Sequence, residues 1–129
     1  MKKSEATKAM TGTGKTREAV IVFFDSIIER RFSDAEKSLE EVKGRKYSNP
    51  DFQEGYNKAL EGMLTSSRSG DERDFLNKAV YTQEGMNKYL QDFRGILKNG
   101  FPKPFDLGFF AAWSDLMHYR EAAKKFIKQ

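Results

Sequence analysis

The chain contains no cysteine, a single histidine, a single tryptophan and only three prolines in 129 residues. Without cysteine there is no disulfide, zinc ribbon, thiolate nucleophile or iron–sulfur cluster. With His118 as the lone imidazole, a two-histidine metal site within one chain is excluded. Long apolar runs are missing too. The longest, residues 19–24, is six residues, against the roughly 18 that a membrane-spanning helix requires. The first residues carry lysines but no apolar stretch of the secretory kind, so a cytoplasmic location away from membranes is expected.

Charge of one sign is scarce over most of the chain. The net charge is +4, yet residues 1–17 hold Lys2, Lys3, Lys8, Lys15 and Arg17 against one acid, Glu5, and the remainder is neutral. This composition predicts a flexible basic tail over residues 1–15 and a single domain over 16–129. The five basic residues are candidate nucleic-acid contacts, since phosphate neutralisation is what such tails do best. Gly12-Thr13-Gly14-Lys15-Thr16 resembles the end of a phosphate-binding loop, but Ala9 stands where the first glycine is required. No buried strand precedes it to aim the loop. Thr16 is expected to cap the following helix.

Large side chains are plentiful: eleven phenylalanines and five tyrosines join the tryptophan. Their spacing is helical throughout. Val20, Phe23, Phe24, Ile27 and Ile28 place a helix over 16–32. Ser33 and Glu36 form a capping box opening a second helix, which Gly44 stops. Asn49 and Pro50 start a third, ending within 65–70. Its Gly55 and Gly62, seven residues apart, predict a close helix crossing. Residues 71–99 form a fourth segment, either one long helix or two broken near 81–85. Two prolines make 101–105 an extended connector, and Asp106 caps a last helix over 107–127. The expected fold is all-α, a compact bundle of about five helices. Glu41–Arg45, Glu54–Lys58, Asp74–Lys78, Glu84–Lys88 and Glu121–Lys125 are acid-to-base pairs at i,i+4 spacing on the outer faces.

The stretch 19–42 resembles a tetratricopeptide repeat, whose second helix opens with an aromatic-x-x-Ala pattern. Phe32-Ser-Asp-Ala35 takes that place, followed by Leu39 and Val42. A looser second pair begins at 56–63. Ala19 stands where the family has a large aromatic, Phe23 where it has a small residue, and Arg30 where it has a turn glycine. The resemblance implies helical hairpins presenting a groove to a protein partner.

Three candidate sites follow. Phe101 and Phe105 either plug the end of the bundle or, with Lys98 and Lys103, form a partner-binding patch. Leu76, Ala79, Gln83, Met86, Leu90, Phe93 and Leu97 form a heptad seam that serves either internal packing or self-association, with Gln83 fixing register. His118 has only Asp115 and Glu121 as charged helix neighbours, and no nucleophile stands at hand. No catalytic, cofactor or metal constellation is evident, nor a small-molecule substrate. The expectation is a non-enzymatic protein-interaction or assembly module. The alternative is an accessory nucleic-acid-binding protein using the basic tail and the Lys/Phe connector.

Overall fold

The computed structural model describes residues 10–12 and 14–123. Among these the chain is all-α, with six helices: α1 (Gly14–Ile28), α2 (Phe32–Lys43), α3 (Pro50–Ser69), α4 (Phe75–Lys78), α5 (Gln83–Asn99) and α6 (Pro104–Ala122). None of them is long and apolar enough to cross a membrane. The main core joins α1, α2, α3 and α6 around Phe23, Phe24, Val42, Tyr56, Leu60, Met63 and Leu116, all essentially without solvent exposure. A smaller core of Ala79, Tyr81, Met86 and Met117 lies on the other flank of α6, where α5 packs.

The helix ends follow local chemistry, with three departures from the sequence expectations. Asn49 caps α3 as expected, its side chain accepting from the Asp51 and Phe52 amides. Gly70 ends α3 at φ 67, a left-handed conformation that costs glycine nothing. The capping box at Ser33 does not form: α2 starts two residues earlier, and Arg31 takes the N-cap position without a side-chain cap. Thr16 lies inside α1 rather than at its start. Pro104 is not in an extended connector but at the first position of α6, where a missing amide hydrogen is harmless. Asp106 then sits in the first turn and accepts from the Lys103 amide at 3.3 Å.

Residues 71–99 take the second of the two expected forms, a broken segment. The helix stops at Lys78 and restarts at Gln83, where Thr82 accepts from the Gly85 amide at 3.1 Å. The intervening Val80 amide donates to the Tyr89 hydroxyl at 2.9 Å. The β-branched Val80 and the N-capping Thr82 therefore win over a heptad pattern that runs through them. The seam is not one continuous stripe.

The most extensive helix contact is between α3 and α6. A Cβ on Gly55 would run into the Phe105 carbonyl, and one on Gly108 into the Phe52 carbonyl. The two backbones approach more closely than any residue with a side chain permits. Gly62, expected to share this role, is exposed and has nothing within 4 Å of its Cβ position. Gly108, unremarked in the sequence, is the true partner of Gly55.

Ion pairs contribute little to the architecture. Of the five expected i,i+4 pairs, the four within the described residues do not form. Lys125 of the fifth lies outside them. Partners across helices or at i,i+3 compete successfully: Lys43 and Lys58 both reach Glu61, and Arg68 reaches Glu36. Exposed pairs of this kind are typically worth less than about 1 kcal/mol.

Gly55→Ala and Gly108→Ala should each cost about 3 kcal/mol in chemical denaturation, the upper range for forcing extra volume into packed backbone. Gly62→Ala should instead stabilise by roughly 0.5–1 kcal/mol, the helix-propensity gain. Equal effects at all three positions would show that no close crossing exists.

Candidate functional site

Two features stand out once the helices are in place: a buried carboxylate and an exposed aromatic end. Asp115 on α6 is 2% exposed. It accepts from the Tyr56 hydroxyl at 2.6 Å, the Thr11 amide at 3.0 Å and the Thr11 hydroxyl at 3.3 Å. Burial raises its pKa to about 6, partly offset by those three donors and by the charge of Arg17. The same environment pushes Tyr47 up to about 12, first by burial and then by the negative charge of Asp115. In sequence Asp115 had drawn notice only as a neighbour of His118. The structure separates them, because both carboxylate oxygens are taken by Thr11 and Tyr56.

This network also corrects the boundary of the tail. Met10 is 3% exposed and belongs to the main core, and Thr11 is tied to Asp115. Arg17 donates to the carbonyls of Met10 and Gly12, holding this segment against α1. Arg17 is therefore engaged internally rather than free for nucleic acid, whereas Lys15 is exposed. Lys2, Lys3 and Lys8 lie outside the described residues. The arrangement is a clasp that joins the chain's start to α3 and α6.

His118 is half-buried, and burial lowers its pKa, with Glu121 opposing and Arg94 reinforcing the shift. Among the described residues no group of three acidic or imidazole side chains is gathered as a metal site.

The second feature is the end of the molecule formed by α5 and α6. Phe75, Phe93, Phe109, Phe110 and Trp113 line an open cleft of about 270 Å³ without a polar side chain. Their rings meet mostly edge-on: Phe75 to Trp113 at 5.0 Å and Phe75 to Tyr89 at 5.1 Å between centroids, with Phe93 tilted against Phe110 at 5.4 Å. Such contacts hold the walls in fixed orientation. Beyond the cleft, Ile96 is 57% exposed and Phe101 entirely so, and Phe105 and Leu107 are more than a third exposed. Lys98 and Lys103 are exposed beside them in the chain. Phe101 therefore does not plug the bundle. Phe105 stacks on Phe109 at 6.4 Å, so it is anchored at one edge and open at the other.

The seam residues divide. Ala79, Met86 and Phe93 are buried within the chain, and Leu76, Leu90 and Leu97 are half-buried. Gln83 is exposed, at the first position of α5, donating to Glu121 at 3.2 Å. It does not occupy a buried register-setting position, because the helix begins there. Comparison with known families, curated proteins and solved structures finds no match to this chain.

The raised pKa of Asp115 makes a signed prediction. The folded protein holds this proton up to about pH 6, whereas an unfolded aspartate releases it near 3.8. The folded state binds more protons in that interval, so its contribution to stability falls as pH rises from about 4 to 6. The full loss is roughly 3 kcal/mol. Denaturation midpoints of wild type and Asp115→Asn, compared across pH 3–8, should show wild type losing ground over this interval and a constant difference above pH 7. A difference that stays flat from pH 3 to 8 would contradict the burial of an ionisable group here.

Proposed function

We propose that the protein is a non-enzymatic interaction module, and that the α5–α6 end is its partner-binding surface. The observation that carries this is the run of exposed apolar residues over 96–107, with Phe101 fully solvated. Isolated exposed hydrophobic residues are ordinary. Four of them within twelve positions, next to an all-aromatic cleft, form a patch of the kind that marks protein-interaction surfaces.

The partner chemistry follows from the lining. The cleft accepts an apolar side chain, and Lys98 and Lys103 favour acidic residues flanking it. Aromatic anchors packed against rigid neighbours are typical of residues that dominate binding energy. The likeness of residues 19–42 to tetratricopeptide units rests on the sequence pattern, and the α1–α2 hairpin is a form common to many all-α folds. Self-association through the former seam is less well supported, since Met86 and Phe93 already pack inside the chain. A second copy would have to use the 96–107 surface instead.

A nucleic-acid role is the second reading. Phe101 beside Lys98 and Lys103 is a stacking group between cations, and bases stack on such side chains.

Phe101→Ser combined with Ile96→Ser should leave the melting temperature within about 2 °C of wild type, because both side chains are exposed. Affinity purification from the source cell with wild-type and doubly substituted bait should recover a protein that the variant loses by tenfold or more. Equal recovery with both baits would overturn the surface assignment. Salt-sensitive retention of RNA or DNA, lost in the variant, would favour the second reading.

A further inference from the structure

Between α1, α3, α4 and α6 lies a cavity of about 210 Å³ with an unusual balance of charge. Two arginines, Arg30 and Arg120, line it, and no carboxylate does. Arg120 is half-buried on α6, with its guanidinium carbon 3.7 Å from the centroid of the Tyr81 ring. Its Nε is buried without a hydrogen-bond partner. Burial lowers its pKa, with only the tyrosine oxygens of Tyr81 and Tyr119 opposing. A guanidinium cannot shed its charge at neutral pH, so a half-buried one without an acid partner carries an uncompensated desolvation cost. The ring face contact compensates it partly.

Arg30 stands at the other side of the cavity, in the turn between α1 and α2. Its backbone is held at φ 60, and one terminal nitrogen donates to the Ser67 carbonyl at 2.9 Å. The side chain passes over the Phe32 ring at 5.0 Å. The guanidinium is thus oriented by two contacts that leave further N–H groups unused. Nearby acids have other partners: Asp71 is engaged by Arg73 and Glu121 by Gln83. Asn77 spends its amide hydrogens on the Ser66 and Asp71 carbonyls. Ile27, Ile28 and Leu76 supply an apolar wall.

We propose that this cavity is an oxyanion site that takes a phosphate monoester, the phosphoryl group between Arg30 and Arg120 and the first carbons of the ligand against Ile27 and Leu76. Charge selects phosphate over carboxylate. Two unopposed guanidiniums match a group carrying close to two negative charges, and their planar forks match its oxygens. Volume limits the ligand. At about 210 Å³ the cavity has room for a phosphoryl group and a short carbon stem. The site does not depend on the 96–107 surface.

The test is calorimetric and thermal titration of the full chain with inorganic phosphate, phenyl phosphate and sodium chloride at matched ionic strength. Wild type should be stabilised by both phosphates and not by chloride, with phenyl phosphate the tighter because of the apolar wall. Arg120→Gln should weaken phosphate binding at least tenfold. Arg30→Gly, which suits the left-handed turn and so preserves folding, should do the same. Sedimentation with vesicles carrying a phosphomonoester lipid, against vesicles of phosphatidylserine, distinguishes the source. Capture reversed by free phosphate points to a headgroup, and absence of capture together with phosphate binding points to a soluble ligand; both support the site. Stabilisation no greater than by chloride would overturn it. So would wild-type phosphate affinity in folded Arg30→Gly.

Discussion

Gly55 and Gly108 let the backbones of α3 and α6 touch, and much of the molecule is arranged around that contact. Tyr56 follows Gly55 directly, and its amide nitrogen lies against the Gly108 site. Asp115 lies two turns beyond Gly108 on the same helix face. The crossing therefore brings the Tyr56 hydroxyl to Asp115 inside the core. Asp115 in turn gathers Thr11, and Arg17 closes over the Met10 and Gly12 carbonyls. One close approach of two helices thus orders the start of the chain as well.

The remaining helices depend on this body unequally. The α1–α2 hairpin buries Phe23, Phe24, Ala35 and Val42 in the main core. Its hold on α6 includes the Tyr119 hydroxyl, which donates to Asp25 at 3.0 Å. α5 has much less. Its main helix contact is with α6, supplemented by ring contacts of Tyr89 and Phe93 with Phe75 of α4, and it buries only Met86 and Phe93. At about 1.5–3 kcal/mol for each large apolar side chain removed from water, α5 is the most weakly attached long helix. It is also the one whose apolar face remains partly open. Weak attachment and an open aromatic cleft have the same origin, a helix with too few partners for its hydrophobic stripe.

The all-α class was legible in the sequence because it rests on periodicity, and the apolar stripes of α1, α2 and α3 lie where the spacing puts them. The Asn49 cap was legible for a local reason, since an asparagine before a proline satisfies the orphan amides of its own helix. What was hidden depends on contacts distant in sequence. Gly108 looks like a flaw in a helix until Gly55 faces it. Asp115 looks like one more surface acid until α3 carries Tyr56 to it. The break before Gln83 turned on a threonine cap set against a heptad pattern, and the pattern was the more visible of the two. Pro104 reads as a helix breaker in the sequence, whereas at the first helical position proline starts a helix. Of the proposed interaction surface, Phe101, Phe105, Lys98 and Lys103 could be named from sequence. The cleft beside them could not, because Phe75 and Phe93 come from helices whose placement the spacing did not reveal.

The molecule is a body locked by the α3–α6 crossing, with α5 as a more weakly held helix beside the open aromatic cleft. Native-state hydrogen exchange resolved by residue tests this division most directly. Amides of α3 and α6 around Gly55, Tyr56 and Leu116 should exchange only through global unfolding. Those of α5 should open at a free energy several kcal/mol lower and independently of the rest. Protection in α5 equal to that of α3 and α6 would contradict the division, and with it the physical basis for an exposed partner-binding face.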